Sequence, residues 1–311
     1  MNTVRRVQDR HKTDIRHKMD KTAFLSAWNS IARGANYHEN AQHVGSFTLP
    51  SFERMPWLAH GFSARTGGLS TGHLASLNLS FTREEEPRAV TMENYRIFCE
   101  AEGIPVESMV MDTYEHGTVV RRVDRSDCGK GYTLPSLPFC DGLVTDDPSV
   151  SLMTGHADCM AFFFADPVKR CIGLAHAGWR GAFSRIGTEV VRMMQTCFGS
   201  DPADIIAGVG PSICEKCFEV DRSLGEEFQN AFPATACLLP GKSEDKAYVD
   251  LWQVAVYQFM EAGILPEHIS IMGVCTVEDD RLFSYRGDGR KTGGMTAYLR
   301  ILPDQEVPSA D

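Results

Sequence analysis

The hydrophobic positions of the chain fall mainly into short apolar runs, a pattern typical of buried β-strands. Two runs at the centre, 159–165 and 171–176, are separated by the turn residues Asp166 and Pro167 and predict a β-hairpin. Residues 105–123 predict a strand, a turn and a second strand. Further strands are predicted at 45–49, 58–63, 109–111, 142–145, 150–153, 205–209, 269–274 and 296–301.

Apolar residues recur at helical spacing in four segments, 87–103, 181–198, 221–232 and 250–262. A short helix followed by a loop is expected over 22–45. Strands outnumber helices and do not alternate strictly with them, which favours an α+β fold over a doubly wound one. We find no internal repeat and no low-complexity linker, and therefore expect one domain, 22–303, between tails at 1–21 and 304–311.

Composition and charge exclude several classes of protein. The chain has 311 residues, of which 43% are hydrophobic, and its net charge of −10 makes nucleic acid an unlikely main partner. No segment approaches the roughly 18 apolar residues of a membrane helix. Residues 1–21 carry seven basic and three acidic side chains, and we interpret them as a solvated tail rather than a signal peptide. These features predict a cytoplasmic protein.

The ten cysteines show no regular spacing, so reduced, mostly buried thiols are expected rather than a disulfide framework. Cys214 and Cys217 have the spacing of a redox or zinc pair. A closed structural zinc site needs a second such pair, which the sequence lacks. We therefore interpret this segment as a turn.

Candidate chemistry is concentrated around the central hairpin. His176 ends the second strand of the hairpin and is followed by a small-residue turn and by Arg180, whose planar fork can grip two oxygens of a phosphate or carboxylate. We expect a helix to begin near Gly181, so that free backbone N–H groups also face this rim. Cys159 starts the first strand of the hairpin, and the preceding Asp158 can orient a histidine or transfer a proton.

The third candidate is His116, which precedes a glycine turn between two predicted strands. With Cys159 and His176 it supplies two imidazoles and a thiol, a ligand set suited to zinc or copper with one position left for water or substrate. The Cys159 and His176 pair is equally suited to be a nucleophile with its general base. On the residues alone, both interpretations stay open.

A set of motifs runs from about residue 45 to 301, and their combination is specific although each alone is weak: His176-Ala-Gly-Trp-Arg-Gly181, Ala157-Asp-Cys159, His116-Gly117, His60-Gly-Phe-Ser-x-Arg65-x-Gly-Gly68-x-Ser70, Ser76-Leu-Asn78, Asp141-Gly-Leu-Val-Thr145, Gly210-Pro-Ser-Ile213, Asp250-Leu251, Phe283-Ser-Tyr-Arg286 and Thr292-Gly293. In these motifs the chain resembles the laccase-domain family, also called the multicopper polyphenol oxidase or peptidoglycan-editing-factor family.

The resemblance implies a fold, a cofactor and an activity. The fold is a single-domain αββα sandwich similar to the cytotoxic necrotizing factor catalytic domain. The cofactor is zinc, with copper as the second choice, held by His116, Cys159 and His176. The implied activity is phosphorolysis of purine nucleosides (adenosine, inosine, guanosine and methylthioadenosine), with deamination of adenosine as a side activity. The protein is expected to be a monomer or homodimer.

The expected roles of individual residues follow from the same resemblance. The catalytic residues are Cys159, His176, His116 and Asp158, and substrate and phosphate are held by Arg65, Arg180 and Asn78. In three positions the chain departs from the family pattern, at Glu115, His156 and Gly294, and we interpret His156 as a neighbour of the site rather than an extra ligand. Two other functions are retained as alternatives: a Cys159-dependent hydrolase editing peptidoglycan precursors, and a copper-dependent polyphenol oxidase.

Overall fold

The computed structural model describes residues 19–303. Of the two predicted tails, residues 1–18 and 304–311 lie outside the described residues. The boundary of the first tail shifts slightly, because the Asp20 side chain accepts a hydrogen bond from the backbone N–H of Ala23 and caps a helix that begins at Lys21. Within the described range, no helix combines the length and the apolar character that a membrane crossing requires.

The helices and strands are numbered in chain order. The helices are α1 (Lys21–Ser30), α2 (Pro50–Glu53), α3 (Arg88–Ala101), α4 (Trp179–Phe183), α5 (Ile186–Phe198), α6 (Arg222–Ala231) and α7 (Leu251–Glu261). The first strands are β1 (Ala32–Arg33), β2 (Asn36–Glu39), β3 (Gly45–Thr48), β4 (Leu58–Ser63), β5 (Met109–Met111), β6 (Val120–Arg122), β7 (Gly142–Thr145) and β8 (Ser151–His156). The remaining strands are β9 (Met160–Asp166), β10 (Cys171–Ala177), β11 (Ile206–Val209), β12 (Glu219–Asp221), β13 (Leu238–Pro240), β14 (Lys246–Val249), β15 (Ile269–Ile271) and β16 (Met295–Ile301). Short 3₁₀ turns lie at Gly72–Leu74, Val106–Ser108, Arg125–Asp127, Pro202–Asp204 and Pro266–His268.

Two large mixed sheets form the centre of the fold. The first has the strand order β1-β15-β11-β9-β10-β7-β6, and the second has the order β2-β3-β4-β16-β8-β5. The predicted hairpin is confirmed, because β9 and β10 pair antiparallel with Cys171 opposite Asp166 and Ala177 opposite Met160. A third, small sheet, β12-β14-β13, lies beside α6.

Strand β9 explains why the sheets stack with helices outside them. All seven of its residues are buried, and successive side chains point to opposite faces. Phe163 packs into the core between the two sheets, with Leu152 and Leu299 of the second sheet. Phe162 and Phe164 pack on the other face, under α5 and α7.

The opposite outer layer is α3. Its side chains Tyr95 and Phe98 pack on Met153 and Tyr298 of the second sheet. The layers are therefore helices, sheet, sheet and helix, which confirms the predicted αββα sandwich within the α+β class.

Three sequence predictions were wrong in detail. The loop expected after the first helix, within 22–45, contains the short strands β1 and β2, which pair with β15 and β3. The helix expected over 181–198 is two helices, because Arg185 adopts the left-handed conformation (φ 69°) between α4 and α5. Its guanidinium donates to Glu261 and to the Ala231 carbonyl, contacts far away in sequence that stabilise the break. The small sheet is absent from the sequence predictions because its strands are only three or four residues long and two of them, β12 and β13, have no buried position.

One buried histidine couples the stability of this fold to pH. His60 on β4 accepts a hydrogen bond from the Leu49 N–H (2.8 Å) and packs against the rings of Phe52 and Phe163. Burial lowers its pKa from 6.5 to about 4, because a protonated imidazole would lose both its hydration and its acceptor nitrogen.

We expect His60 to destabilise the protein in acid. Its folded-state pKa lies below its unfolded-state value, so its contribution is complete above pH 6.5 and is lost as the pH falls towards 4. The loss is at most about 1.4 kcal/mol per pH unit. His60→Gln keeps an acceptor without titrating, so urea unfolding between these pH values should give a flatter profile for that variant. The control is His43→Gln, whose parent side chain is 79% exposed; equal profiles in the two variants would exclude His60 as the source.

Candidate metal centre

Three side chains that are distant in sequence meet at one end of the central hairpin. The ligand atoms of His116, Cys159 and His176 all lie within 4.8 Å of one another. His176 lies on β10, Cys159 directly precedes β9, and His116 lies in the loop between β5 and β6. The antiparallel register places Ala177 opposite Met160, so Cys159 comes beside the end of β10. The convergence predicted from the sequence is confirmed.

Asp141, at the start of β7, holds two of these three residues in place. One carboxylate oxygen lies 3.2 Å from His176 Nδ1. The other accepts hydrogen bonds from the backbone N–H groups of Gly117 (2.8 Å) and Glu115 (3.3 Å), which flank His116. With Nδ1 turned to Asp141, the Nε2 atom of His176 is directed to the centre. A carboxylate behind a histidine is a common way to orient a metal ligand.

The backbone around the centre adopts conformations that few side chains tolerate. His116 (φ 62°) and Asp158 (φ 82°) both lie in the left-handed region. Gly178 closes the space beside them, because a Cβ atom there would lie 2.5 Å from His116 Cδ2 and 3.3 Å from Cys159 Sγ. The tight fit leaves the ligand atoms little freedom to move apart.

The donor set fits a metal ion. Two imidazoles and one thiol are ligands that Zn²⁺ and copper accept, and three protein ligands leave a position for substrate. Burial, with the charges of Asp158 and Asp141, raises the pKa of the Cys159 thiol to about 12. Burial also lowers the pKa of His176, against the opposing effect of Asp141. A cation would favour the thiolate and the neutral imidazole together, which are the forms that bind a metal.

Asp158 lies at the centre, but within the part of the chain that the structure describes its carboxylate forms no hydrogen bond with a histidine, although its position in the sequence suggests one. One carboxylate oxygen accepts hydrogen bonds from Thr276 Oγ1 and Ser284 Oγ, both at 2.6 Å. The other accepts from the backbone N–H of Arg286 at 2.6 Å. The carboxylate that orients a histidine is therefore Asp141, whereas Asp158 fixes the loop 276–286 against the centre.

The centre opens into a cavity of about 840 Å³. Its lining is rich in cations, and the basic residues are Arg83, Arg180, Lys246, Arg286 and Arg290. Apolar and aromatic surface comes mainly from Tyr114, Trp179, Ile213, Phe218, Leu251 and Tyr285. The acidic lining residues are Asp158, Glu219 and Asp221, and Asp221 pairs with Lys246. A cavity of this kind can take a small ligand with a flat apolar part and an anionic part.

The sequence-predicted binding residues divide into two groups. Arg180 lines the cavity, and its guanidinium lies 4.1 Å from the centre of the Trp179 ring. It lies on α4, a helix of only five residues. Arg65 and Asn78 are not among the described residues that line it. The Arg65 guanidinium donates to the carbonyls of Ala75 and Leu282.

Asn78 is completely buried and serves the local backbone. Its amide accepts from the N–H groups of Ser80 and Gly294 and donates to Glu86. A Cβ atom at Gly294 would lie 2.6 Å from Ser80 Cβ, so this packing explains why a larger residue is absent at position 294. Neither Glu86 nor Ser80 is a cavity residue.

His156, the second departure from the family pattern, is buried next to the centre. Its Nε2 lies 2.8 Å from Thr154 Oγ1 and its Nδ1 3.1 Å from the Cys159 carbonyl. Both nitrogens are thus engaged, in agreement with the interpretation of His156 as a neighbour. Its hydrogen bond to the Cys159 carbonyl fixes the backbone that carries the thiol.

Two residues of the site escape sequence reasoning. Asp141 belongs to a sequence motif, but its partners lie 24 and 35 positions away and no local pattern indicates them. Arg83 belongs to none of the motifs. Its guanidinium reaches the Gly293 carbonyl and lines the cavity, and its Nε is buried without a hydrogen-bond partner.

The chain is similar to known proteins in sequence and in fold. Residues 59–302 match the family model described as multi-copper polyphenol oxidoreductase laccase. The purine nucleoside phosphorylase YlmD of Bacillus subtilis is 34% identical, over 77% of this chain and 87% of its own. The human purine nucleoside phosphorylase LACC1 is 30% identical over 83% of this chain and 59% of its own. The crystal structure of YlmD from Geobacillus stearothermophilus shares the fold, with a TM-score of 0.79 at 30% identity over 86% of this chain and 99% of that one.

We expect Asp141→Asn to weaken Zn²⁺ binding at this centre about 10- to 100-fold, because the amide nitrogen cannot accept the N–H groups that position His116. Competition with a chromophoric chelator measures the change. The matched control is Asp146→Asn, a half-exposed residue that pairs with Arg122 on the surface. Unchanged affinity in Asp141→Asn, or an equal loss in the control, would contradict the positioning role.

Proposed function

The chain belongs to the multi-copper polyphenol oxidoreductase laccase family, and we propose that it is a zinc-dependent purine nucleoside phosphorylase. Related proteins that are named purine nucleoside phosphorylases support the proposal. The structural observation that supports it most is one cavity that combines the His116, Cys159 and His176 centre with arginine side chains and aromatic walls.

The purine is assigned to the aromatic part of the cavity. Tyr114, Phe218 and Tyr285 offer flat surfaces on which a base can pack. Tyr114 also lies against His176, with ring centres 4.3 Å apart, so a base on this wall is next to the centre. Adenosine, inosine, guanosine and methylthioadenosine all fit this description as substrates.

Phosphate is assigned to Arg180, together with Arg83 and Arg290 of the same cavity lining. Among residues 19–303, Arg180 has no carboxylate partner, so its fork of donors is available to an anion. Arg83, another residue of the same lining, adds a second positive charge. The role predicted for Arg65 and Asn78 is then indirect, because both hold the loops near the cavity through their hydrogen bonds to backbone.

The reaction follows from this arrangement. A phosphate oxygen forms a bond to the anomeric carbon while the glycosidic C–N bond breaks, and the electron pair leaves with the purine, which then takes up a proton. The arginines hold the phosphate against the sugar, which lowers the entropic cost of the encounter and stabilises the developing charges. A Zn²⁺ on His116, Cys159 and His176 would supply Lewis-acid stabilisation of negative charge. Asp158 is proposed to position the cavity wall, since its three hydrogen bonds are all accepted from the loop 276–286.

The alternative functions have less support. As a nucleophile, Cys159 would need an ionised thiol, whereas burial raises its pKa to about 12. A polyphenol oxidase with several copper ions needs more ligands than the single His-Cys-His group at this centre provides. Adenosine deamination remains a proposed side activity in the same cavity. We place the enzyme in the cytoplasm, as a monomer or homodimer.

We expect the purified, zinc-loaded protein to convert inosine and phosphate into hypoxanthine and ribose 1-phosphate. Chromatography of both products, with and without phosphate, measures the reaction, and ammonia release from adenosine measures deamination. Release of base without phosphate would replace phosphorolysis by hydrolysis. No turnover of any nucleoside by the metal-loaded protein would overturn the proposed function.

Arg180→Ala should raise the KM for phosphate about 10- to 100-fold, because a charge-assisted hydrogen bond contributes about 1.5–3 kcal/mol. The KM for inosine should change much less. The control is Arg192→Ala on the outside of α5, where the parent side chain is 60% exposed and pairs with Glu189. A similar rise in both KM values of Arg180→Ala would argue against a phosphate contact.

A further inference from the structure

A second group of metal-capable side chains lies apart from the centre described above. The Sγ atoms of Cys214, Cys217 and Cys275 all lie within 4.8 Å of one another. Cys214 and Cys217 follow β11, and Cys275 follows β15, the parallel neighbour of β11 in the first sheet. No sequence pattern indicates this group, because the third thiol is 58 positions beyond the Cys214 and Cys217 pair.

The backbone around these thiols is shaped as a tight double turn. The Cys214 carbonyl accepts hydrogen bonds from the N–H groups of Cys217 (3.1 Å) and Phe218 (3.0 Å), which brings the two thiols of the pair to one side. On the other segment, the Cys275 carbonyl accepts from Glu278 and Asp279 in the same manner. Each segment therefore forms a tight turn that is closed on a cysteine carbonyl, Cys214 in one and Cys275 in the other.

The two segments are joined directly at the thiols. Ser212 and Cys275 form a bridge of the parallel type, with N–H to carbonyl contacts between Ser212 and Val274 (3.1 Å) and between Thr276 and Ser212 (3.2 Å). The Cys214 N–H points at Cys275 Sγ, with a nitrogen-to-sulfur distance of 3.4 Å. Such N–H groups favour a thiolate over a thiol.

Charge and burial at the group match a cation site. Cys214 and Cys275 are buried, whereas Cys217 is half-buried and gives access from the surface. The Cys214 thiol donates to Cys275, which raises the pKa of Cys214 and lowers that of Cys275, and the N–H groups of Cys214, Val277 and Glu278 add to the lowering. Three thiolates at this spacing repel one another unless a cation lies between them.

We propose that Cys214, Cys217 and Cys275 form a second metal site, a three-thiolate site for a thiophilic cation, Zn²⁺ or Cu⁺. Soft thiolates select these ions, and three of them suit trigonal Cu⁺ or a tetrahedral Zn²⁺ with one further ligand on the open Cys217 side. Binding releases the thiol protons to solvent and changes no oxidation state.

The second site would fix the wall of the substrate cavity. Phe218, which lines the cavity, directly follows Cys217. Thr276, which directly follows Cys275, donates to Asp158 beside the first centre. Arg286 connects the Cys217 segment to the same aspartate, because its guanidinium donates to the Cys217 carbonyl and its backbone N–H to Asp158. The bound ion thus ties together the two loops that close one side of the cavity.

The test measures metal content of the full chain, independently of any enzymatic activity. Reduced protein is loaded with Zn²⁺, or with Cu⁺ under anaerobic conditions, and bound metal is counted by mass spectrometry. The wild type should bind two equivalents of at least one of these ions. The double variant His116→Ala with His176→Ala should retain one, and Co²⁺ in its place should give thiolate-to-metal charge-transfer absorption.

Variants of the cluster supply the matching half of the experiment. Cys214→Ser, Cys217→Ser and Cys275→Ser should each lose one equivalent and keep the other, which also reports that the variant is folded. The control is Cys197→Ser, a half-buried cysteine on α5 next to Met193, which should keep both equivalents. The His116→Ala and His176→Ala double variant keeps all three cysteines of the second site. Its failure to bind either Zn²⁺ or Cu⁺ would therefore overturn the proposal. Two retained equivalents in Cys275→Ser, or a Cys214 and Cys217 disulfide that persists under reducing conditions, would overturn it as well.

Discussion

The site depends most directly on the Asp141 carboxylate. It is 2% exposed, and each of its oxygens serves a different segment: one faces His176 on β10, and the other accepts the N–H groups on both sides of His116. Burial alone would raise the pKa of Asp141, but these hydrogen bonds lower it overall, so the carboxylate stays charged. A charged group with both oxygens satisfied is stable inside a protein, whereas a group that lost one partner would not be. The two histidines are thereby fixed relative to each other before any ligand arrives.

The Asp141 carboxylate also stabilises an unusual backbone conformation at the centre. The left-handed backbone of His116 has a conformational cost, and the two N–H contacts to Asp141 offset it in the native state. Asp158 has the same unusual conformation next to Cys159, and its three hydrogen bonds to the loop 276–286 play the corresponding part. Two aspartates therefore hold three ligand-bearing segments. Burial, together with the negative charge of these aspartates, raises the pKa of the Cys159 thiol, and a positive ion at the site would offset both effects.

The sequence predicts the strands that correspond to short apolar runs. Strands β4, β5 and β7 have the predicted bounds, and the turn residues of the β9–β10 hairpin correctly indicate the element that carries Cys159 and His176. The sequence does not indicate Asp141 as an orienting group, Arg83 as a cavity residue, or the contact of Cys275 with Cys214 and Cys217. These depend on chain segments that meet only after the sheets have formed, and no spacing rule connects them. Arg65 shows a further limit of the sequence: its motif implies a ligand contact, whereas the structure shows its guanidinium donating to the carbonyls of Ala75 and Leu282.

The balance of charges bears on what the cavity can admit. The chain as a whole carries −10, yet five of the cavity-lining residues are arginine or lysine. At physiological ionic strength a charge acts over about 8 Å, so a small anion inside the cavity responds mainly to the side chains that line it, five of them basic and three acidic. The acidic balance of the chain as a whole therefore does not argue against an anionic ligand in the cavity, where the basic side chains outnumber the acidic ones.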